Sequence, residues 1–316
     1  MRERGGRRSR VGAIVACALA VALAASCQPG GTAKRHARVD GGAVVVASFN
    51  FPESELLAAI YGLAIEHAGI PVRMQLDLGP RELVQPALEE GLADVVPEYL
   101  GTALTSLEPT SRVPMSNPAA VRGELARAYA QWHVQVLESA VAQDQNGFAV
   151  TRGTADRLHL RTVSDLGPVA PRMTIGGPAE CPGRPYCLIG LHTVYGLRFA
   201  RFLPLDTEQQ RVAALRSGVA DVAVLFTTDG NLATGDFTLL SDNRRLQPAE
   251  NVVPVVSAKT VARYGRRLVD ALDTVSARLT TKGLIFLNWR VTVAGKNVLA
   301  EARGWLERQG IVPRPD

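Results

Sequence analysis

Residues 88–102 read LEEGLADVVPEYLGT, and residues 215–229 read LRSGVADVAVLFTTD. Each passes from a helix end through Gly into Ala-Asp-Val, which opens an apolar strand. Each strand then gives way to an aromatic residue and a Thr-containing turn. The offset of 127 residues is not a solenoid period. It suggests two similar α/β lobes, with chance likeness of helix–Gly–strand junctions as the other reading. The surroundings fit. Residues 43–48 are an apolar, β-branched run, and 53–68 have helical spacing through Leu56, Leu57, Ile60 and Ala64 up to Gly69. Residues 71–78 alternate like a strand, 81–90 read as a helix ending at Gly91, and 93–96 as the next short strand. This alternation predicts an α/β fold with a largely parallel sheet. Further on, helices are expected over 118–132, 192–199, 207–217, 264–279 and 297–309. Strands are expected over 133–137, 148–151, 172–176, 237–241 and 252–256.

The chain has 316 residues and is 47% hydrophobic, enough to bury a core and to exclude disorder over most of its length. Of its net charge of +5, four sit at the N-terminus: residues 1–26 hold five Arg and one Glu, leaving 30 basic against 29 acidic residues. A nucleic-acid partner is therefore not expected, since such a surface needs its basic excess in the folded part. The longest apolar stretch, 11–25, is 15 residues, short of the ~20 a spanning helix needs. That excludes a multi-pass membrane protein.

Residues 1–26 read as a signal peptide, Arg-rich and then apolar. The ending LAASC (23–27) resembles a bacterial lipobox, which implies lipid on Cys27; ordinary secretion with cleavage nearby is the other reading. The pair Arg7-Arg8 lacks the usual apolar sequel of a twin-arginine signal. Residues 27–42 then form the lipidated Cys and a polar, Gly-rich tether. The expected location is outside the cell, anchored to the outer face of the cytoplasmic membrane. Cys181 and Cys187 remain, separated by a turn-rich loop with Pro182, Gly183 and Pro185. An oxidising exterior and that spacing predict a disulfide. A metal site with only His192 nearby is a poor rival, so no metal or other cofactor is expected. No phosphate loop, dinucleotide-binding glycine pattern or Gly-x-Ser-x-Gly elbow occurs, and the His residues (36, 67, 133, 159, 192) are scattered.

Five segments carry a family resemblance: SFNFPESE (48–55), LDLGPRELVQPAL (76–88), PEYLGTALTSL (97–107), ECPGRPYCLIGLHTVYGL (180–197) and ADVAVLFTTDG (220–230). Their order is similar to that in substrate-binding proteins of osmoprotectant ABC importers, which take glycine betaine, choline or carnitine. The resemblance implies a two-lobed type II periplasmic-binding fold with the ligand in a cleft between lobes joined by two crossing strands. The crossings are expected near 145–148 and 225–228, with one lobe at 43–145 plus 227–316 and the other at 146–226. It further implies a non-enzymatic protein that passes its ligand to an ABC permease and its ATPase.

The same resemblance implies an aromatic cage. A quaternary ammonium has no N–H to donate, and aromatic faces attract it at lower desolvation cost than a carboxylate. Tyr99 and Tyr195 match cage tyrosines. Phe226 falls where relatives carry a Tyr, and Asn146 where some carry an aromatic. Phe49 falls where some betaine-binding relatives carry a Lys, so it either completes the cage or packs. Arg184, Thr102 and Thr228 are candidates for a ligand's polar end. Choline, glycine betaine and ergothioneine are all candidate ligands. Glu53, at a helix start, reads as structural. Three alternatives stay open: an amino acid or oxyanion in the same cleft, an exported enzyme using Asp229 and Arg184, and a sensor subunit without transport.

Overall fold

The computed structural model describes residues 42–113 and 115–314. The signal peptide, Cys27 and most of the tether lie outside these residues. Strand β1 (Val44–Phe49) is wholly buried, as its unbroken apolar run requires of a strand covered on both faces. It leads into α1 (Pro52–His67), where Pro52 opens the helix and Glu53 and Glu55 lie at its positive end. Next come β2 (Val72–Gly79), α2 (Arg81–Glu89), β3 (Val95–Tyr99), α3 (Leu100–Leu107), α4 (Pro118–Ala130) and β4 (Val134–Val136). The chain then crosses to β5 (Asn146–Thr151), α5 (Arg152–Leu158), β6 (Thr174–Gly177), α6 (Leu188–Tyr195), β7 (Arg201–Pro204), α7 (Glu208–Ser217), β8 (Val222–Phe226) and β9 (Phe237–Leu240). It returns through β10 (Val252–Ser257), α8 (Ala258–Tyr264), α9 (Arg266–Arg278), α10 (Thr281–Asn288) and α11 (Val298–Arg308).

These strands form two five-stranded sheets, ordered β2-β1-β3-β10-β4 and β7-β6-β8-β5-β9. Each has its own core on both faces. Leu56, Leu272 and Trp305 cover one face of the first sheet, and Leu100, Leu125 and Tyr129 the other. Phe148, Leu191 and Val222 mark one face of the second, and Val212, Leu215 and Leu225 the other. The two-lobed α/β fold expected from the sequence is thus present.

Three expectations are corrected. The sheets are mixed, not largely parallel: β1 and β6 pair in parallel with their neighbours, but β10 and β5 pair antiparallel with theirs. The antiparallel strands flank the places where the chain changes lobe. The second lobe also does not end at residue 226, because β9 pairs with β5. Residues 227–236 are an excursion whose short turn, Gly230–Thr234, packs on α10 before the chain turns back. The return to the first sheet lies between Leu240 and Val252. Finally, the helix expected over 192–199 starts at Leu188 and stops at Gly196, which takes the left-handed φ of +73° that ends helices.

Candidate functional site

A cavity of about 580 Å³ opens where β3, the start of α1 and the segment after β8 converge. A recess of about 380 Å³ adjoins it, sharing Arg81, Thr102, Asp144 and Phe226 and adding Asn146, Tyr186, Gln247 and Glu250.

Aromatic rings dominate one side. Phe49 and Phe51 alternate on extended backbone before α1, so both rings fall on the same side. They lie parallel with centroids 6.0 Å apart, and Phe51 is 6.2 Å from Tyr99. Phe49 is only 3% exposed, and the Arg81 guanidinium lies 4.8 Å from its ring centre. It packs, and Phe51 presents the open ring, at 38% exposure. Phe226, at the end of β8, lines both spaces and is 45% exposed.

Carboxylates stand behind the rings. The Tyr99 hydroxyl donates to Glu53 Oε1 at 2.7 Å, while Asn288 Nδ2 donates to Glu53 Oε2 and to the Thr228 carbonyl. Burial, then the Glu53 charge, pushes the Tyr99 phenol well up. The Thr228 amide donates to Asp144 Oδ1 at 3.3 Å. Burial and the neighbouring Glu53 push the Asp144 carboxyl well above its usual range. Glu208, opening α7, is pushed up to about 7 by burial and by Asp229. Glu250 accepts from Thr102 N and Oγ1 at 3.0 and 2.9 Å, yet burial pushes it up to about 7. Arg81 is the only cationic side chain among the described residues lining either space. Both its terminal nitrogens are held by the Glu98 carboxylate.

Of the residues singled out from sequence, Phe49, Tyr99, Thr102, Phe226 and Thr228 line the larger cavity, and Asn146 the recess. Tyr195 and Arg184 line neither. Tyr195 ends α6 with its ring in the second lobe's core and its hydroxyl on Asp242, and Arg184 is exposed. The disulfide joins Cys181 to Cys187, Cα atoms 5.3 Å apart. Its loop carries Tyr186, whose carbonyl accepts from Gln247 Nε2 at 3.0 Å, into the recess. Sequence reading passed over Phe51, Tyr186, Asp144, Glu208 and Asn288. It also took Glu53, which lines the cavity, as purely structural.

Two lobes with a ring-lined cavity at their junction define a solute-binding protein. The chain matches, over residues 42–308, the family described as the substrate binding domain of ABC-type glycine betaine transport systems, and it belongs to that family. Its members are binding proteins of ABC importers for quaternary ammonium osmoprotectants, not enzymes. The chain is similar to the glycine betaine-binding protein YehZ of Escherichia coli K12, at 25% identity over 82% of this chain and 88% of the relative. It is also similar to the carnitine transport binding protein OpuCC of Listeria monocytogenes, at 23% identity over 81% of this chain and 83% of the relative. A crystal structure of a glycine betaine/carnitine/choline ABC transporter component superposes with a TM-score of 0.78 at 24% identity, over 85% of this chain and 99% of that one. That likeness shows the fold.

Proposed function

We propose that this protein, anchored by lipid at Cys27 outside the cytoplasmic membrane, holds a quaternary ammonium solute in the ring-lined cavity and delivers it to an ABC permease and its ATPase. One observation carries the reading: Phe51, Tyr99 and Phe226 bring rings from both lobes to one cavity backed by carboxylates. An alkylated ammonium gains ~0.5–2 kcal/mol from each desolvated ring face. Its methyl groups also fill apolar space that an amino acid's ammonium would leave poorly hydrogen-bonded.

Calorimetry with choline, glycine betaine and carnitine, and with proline and histidine as controls, tests this. At least one of the ammonium compounds binds, and Phe226→Ala weakens it about 5- to 30-fold, the equivalent of 1–2 kcal/mol. Phe226 is half exposed and holds no core together, so the variant keeps its fold. Binding of proline or histidine alone would sink the reading. The anchor is tested separately: Cys27→Ser should move the protein from the membrane fraction to the soluble one.

A further inference from the structure

The charges in the cavity constrain its ligand more narrowly than the rings do. Glu53, Asp144, Glu208 and Asp229 all line it. The single lining cation, Arg81, is already held by Glu98. A ligand carboxylate would therefore enter a space with several acids and no free cation among the described lining residues.

A second observation is independent of charge. Asn288 is 6% exposed and lines the cavity, and its Nδ2 is spent on Glu53 and on the Thr228 carbonyl. Its Oδ1 has no hydrogen-bond partner in the protein. Asp229 is 3% exposed, and its Oδ1 accepts from Asn231 while Oδ2 has no donor. Asn231 Nδ2 also reaches Glu208 Oε1, at 3.2 Å, tying the two acids together. Buried acceptors without donors are costly. Asn288 and Asp229 line the same cavity, and once Glu208 has lost its proton neither free acceptor has a donor among the described residues.

We infer that the cavity selects an ammonium compound of net positive charge whose tail donates a hydrogen bond, and that Glu208, Asp229 and Asn288 are the groups that read the tail. Zwitterionic ammonium compounds such as betaines are disfavoured because their carboxylate is repelled by the acids and offers those acceptors no donor. The inference rests on the quaternary ammonium reading and sharpens it.

The test compares choline with glycine betaine, which share a trimethylammonium head and differ in the tail. Calorimetry on the full-length protein in detergent at pH 8 should give choline at least 10-fold tighter than glycine betaine. Glu208→Gln keeps the size and shape of the side chain and removes its charge. It should narrow that ratio to within about 3-fold, weakening choline and strengthening glycine betaine. Asn288→Leu, which removes the free acceptor, should weaken choline more than glycine betaine. Glycine betaine binding as tightly as choline, with the Phe226 dependence intact, overturns this inference and leaves the ammonium reading standing. An unchanged ratio in folded Glu208→Gln overturns the role of the acids. Failure of choline and glycine betaine to bind folded protein that still binds carnitine overturns this inference alone, and failure of all three overturns both readings.

Discussion

Glu250 shows how a single buried acid stores information about pH. Two hydrogen bonds from Thr102 favour its charge, but burial wins and pushes it up to about 7 from an ordinary 4.5. The folded state therefore keeps a proton that the unfolded chain releases. As pH rises from about 4.5 to about 7, this group's contribution to stability falls, and above that it is level. Glu250→Gln cannot ionise and escapes the loss. The variant should match wild type near pH 4 and exceed it at pH 8, by on the order of 1–3 kcal/mol. Urea unfolding midpoints at the two pH values measure this; equal differences at both would refute it. The same residue explains Thr102, whose hydroxyl hydrogen is committed to Glu250 and so reaches a ligand only as an acceptor.

At the scale of elements, the turn Gly230–Thr234 ties the second lobe to the first. A Cβ on Gly230 would lie 2.6 Å from the Trp289 amide nitrogen and 2.8 Å from the Asn288 carbonyl carbon, a backbone approach that cannot relax by moving a side chain. Gly230→Ala should therefore cost about 1–3 kcal/mol and disturb Asn288, lowering the melting temperature and ligand affinity together. The Cys181–Cys187 bridge, spanning six positions, should contribute about 2 kcal/mol by limiting the unfolded chain. Losing it in Cys181→Ser/Cys187→Ser lowers the urea midpoint and frees Tyr186 from the recess. Elements of this kind were unevenly legible. The β-branched runs of β1, β8 and β10 announced themselves, as did helices closed by Gly69 and Gly218. Helix α3 did not, because β3 passes into it at Tyr99 with no Gly or Pro to mark the junction. Helix α6 departs from its expected span because its stop, Gly196, falls inside that span, and Tyr195, expected in the cage from the family motif alone, lies in the second lobe's core. In the site, the rings were legible because they sit in recognisable segments. The acids were not, since Glu53, Asp144, Glu208 and Asp229 meet only through tertiary packing.

Over the whole molecule, these acids sit where the lobes join. Gln145 and Thr227 exchange hydrogen bonds at 2.8 Å, the Asp144 amide donates to the Glu250 carbonyl at 3.0 Å, and Gln143 bridges to Asn251. Both crossings and the segment after β8 thus meet within a few residues of the cavity, so charge at the site is felt by both lobes. Glu208 faces Asp229 and Asn231, with Arg211 from its own helix opposing the upward shift, and is still pushed up to about 7. Asp144 faces Glu53, Glu250 and Thr228, and its carboxyl is raised as well. A bound cation favours the ionised form of each, so binding must release protons, and by linkage affinity must rise with pH through the window where they are still held. Affinity for choline should increase from pH 6 to pH 8 as Glu208 ionises. Titrations at pH 7 in buffers of different ionisation enthalpy should show net proton release, diminished in Glu208→Gln. For a neutral zwitterion the rise should be smaller, because its carboxylate meets the same charges. Proton uptake on choline binding, or an affinity that falls towards pH 8, would mean that the acids do not feel the ligand's charge and that the rings alone hold it.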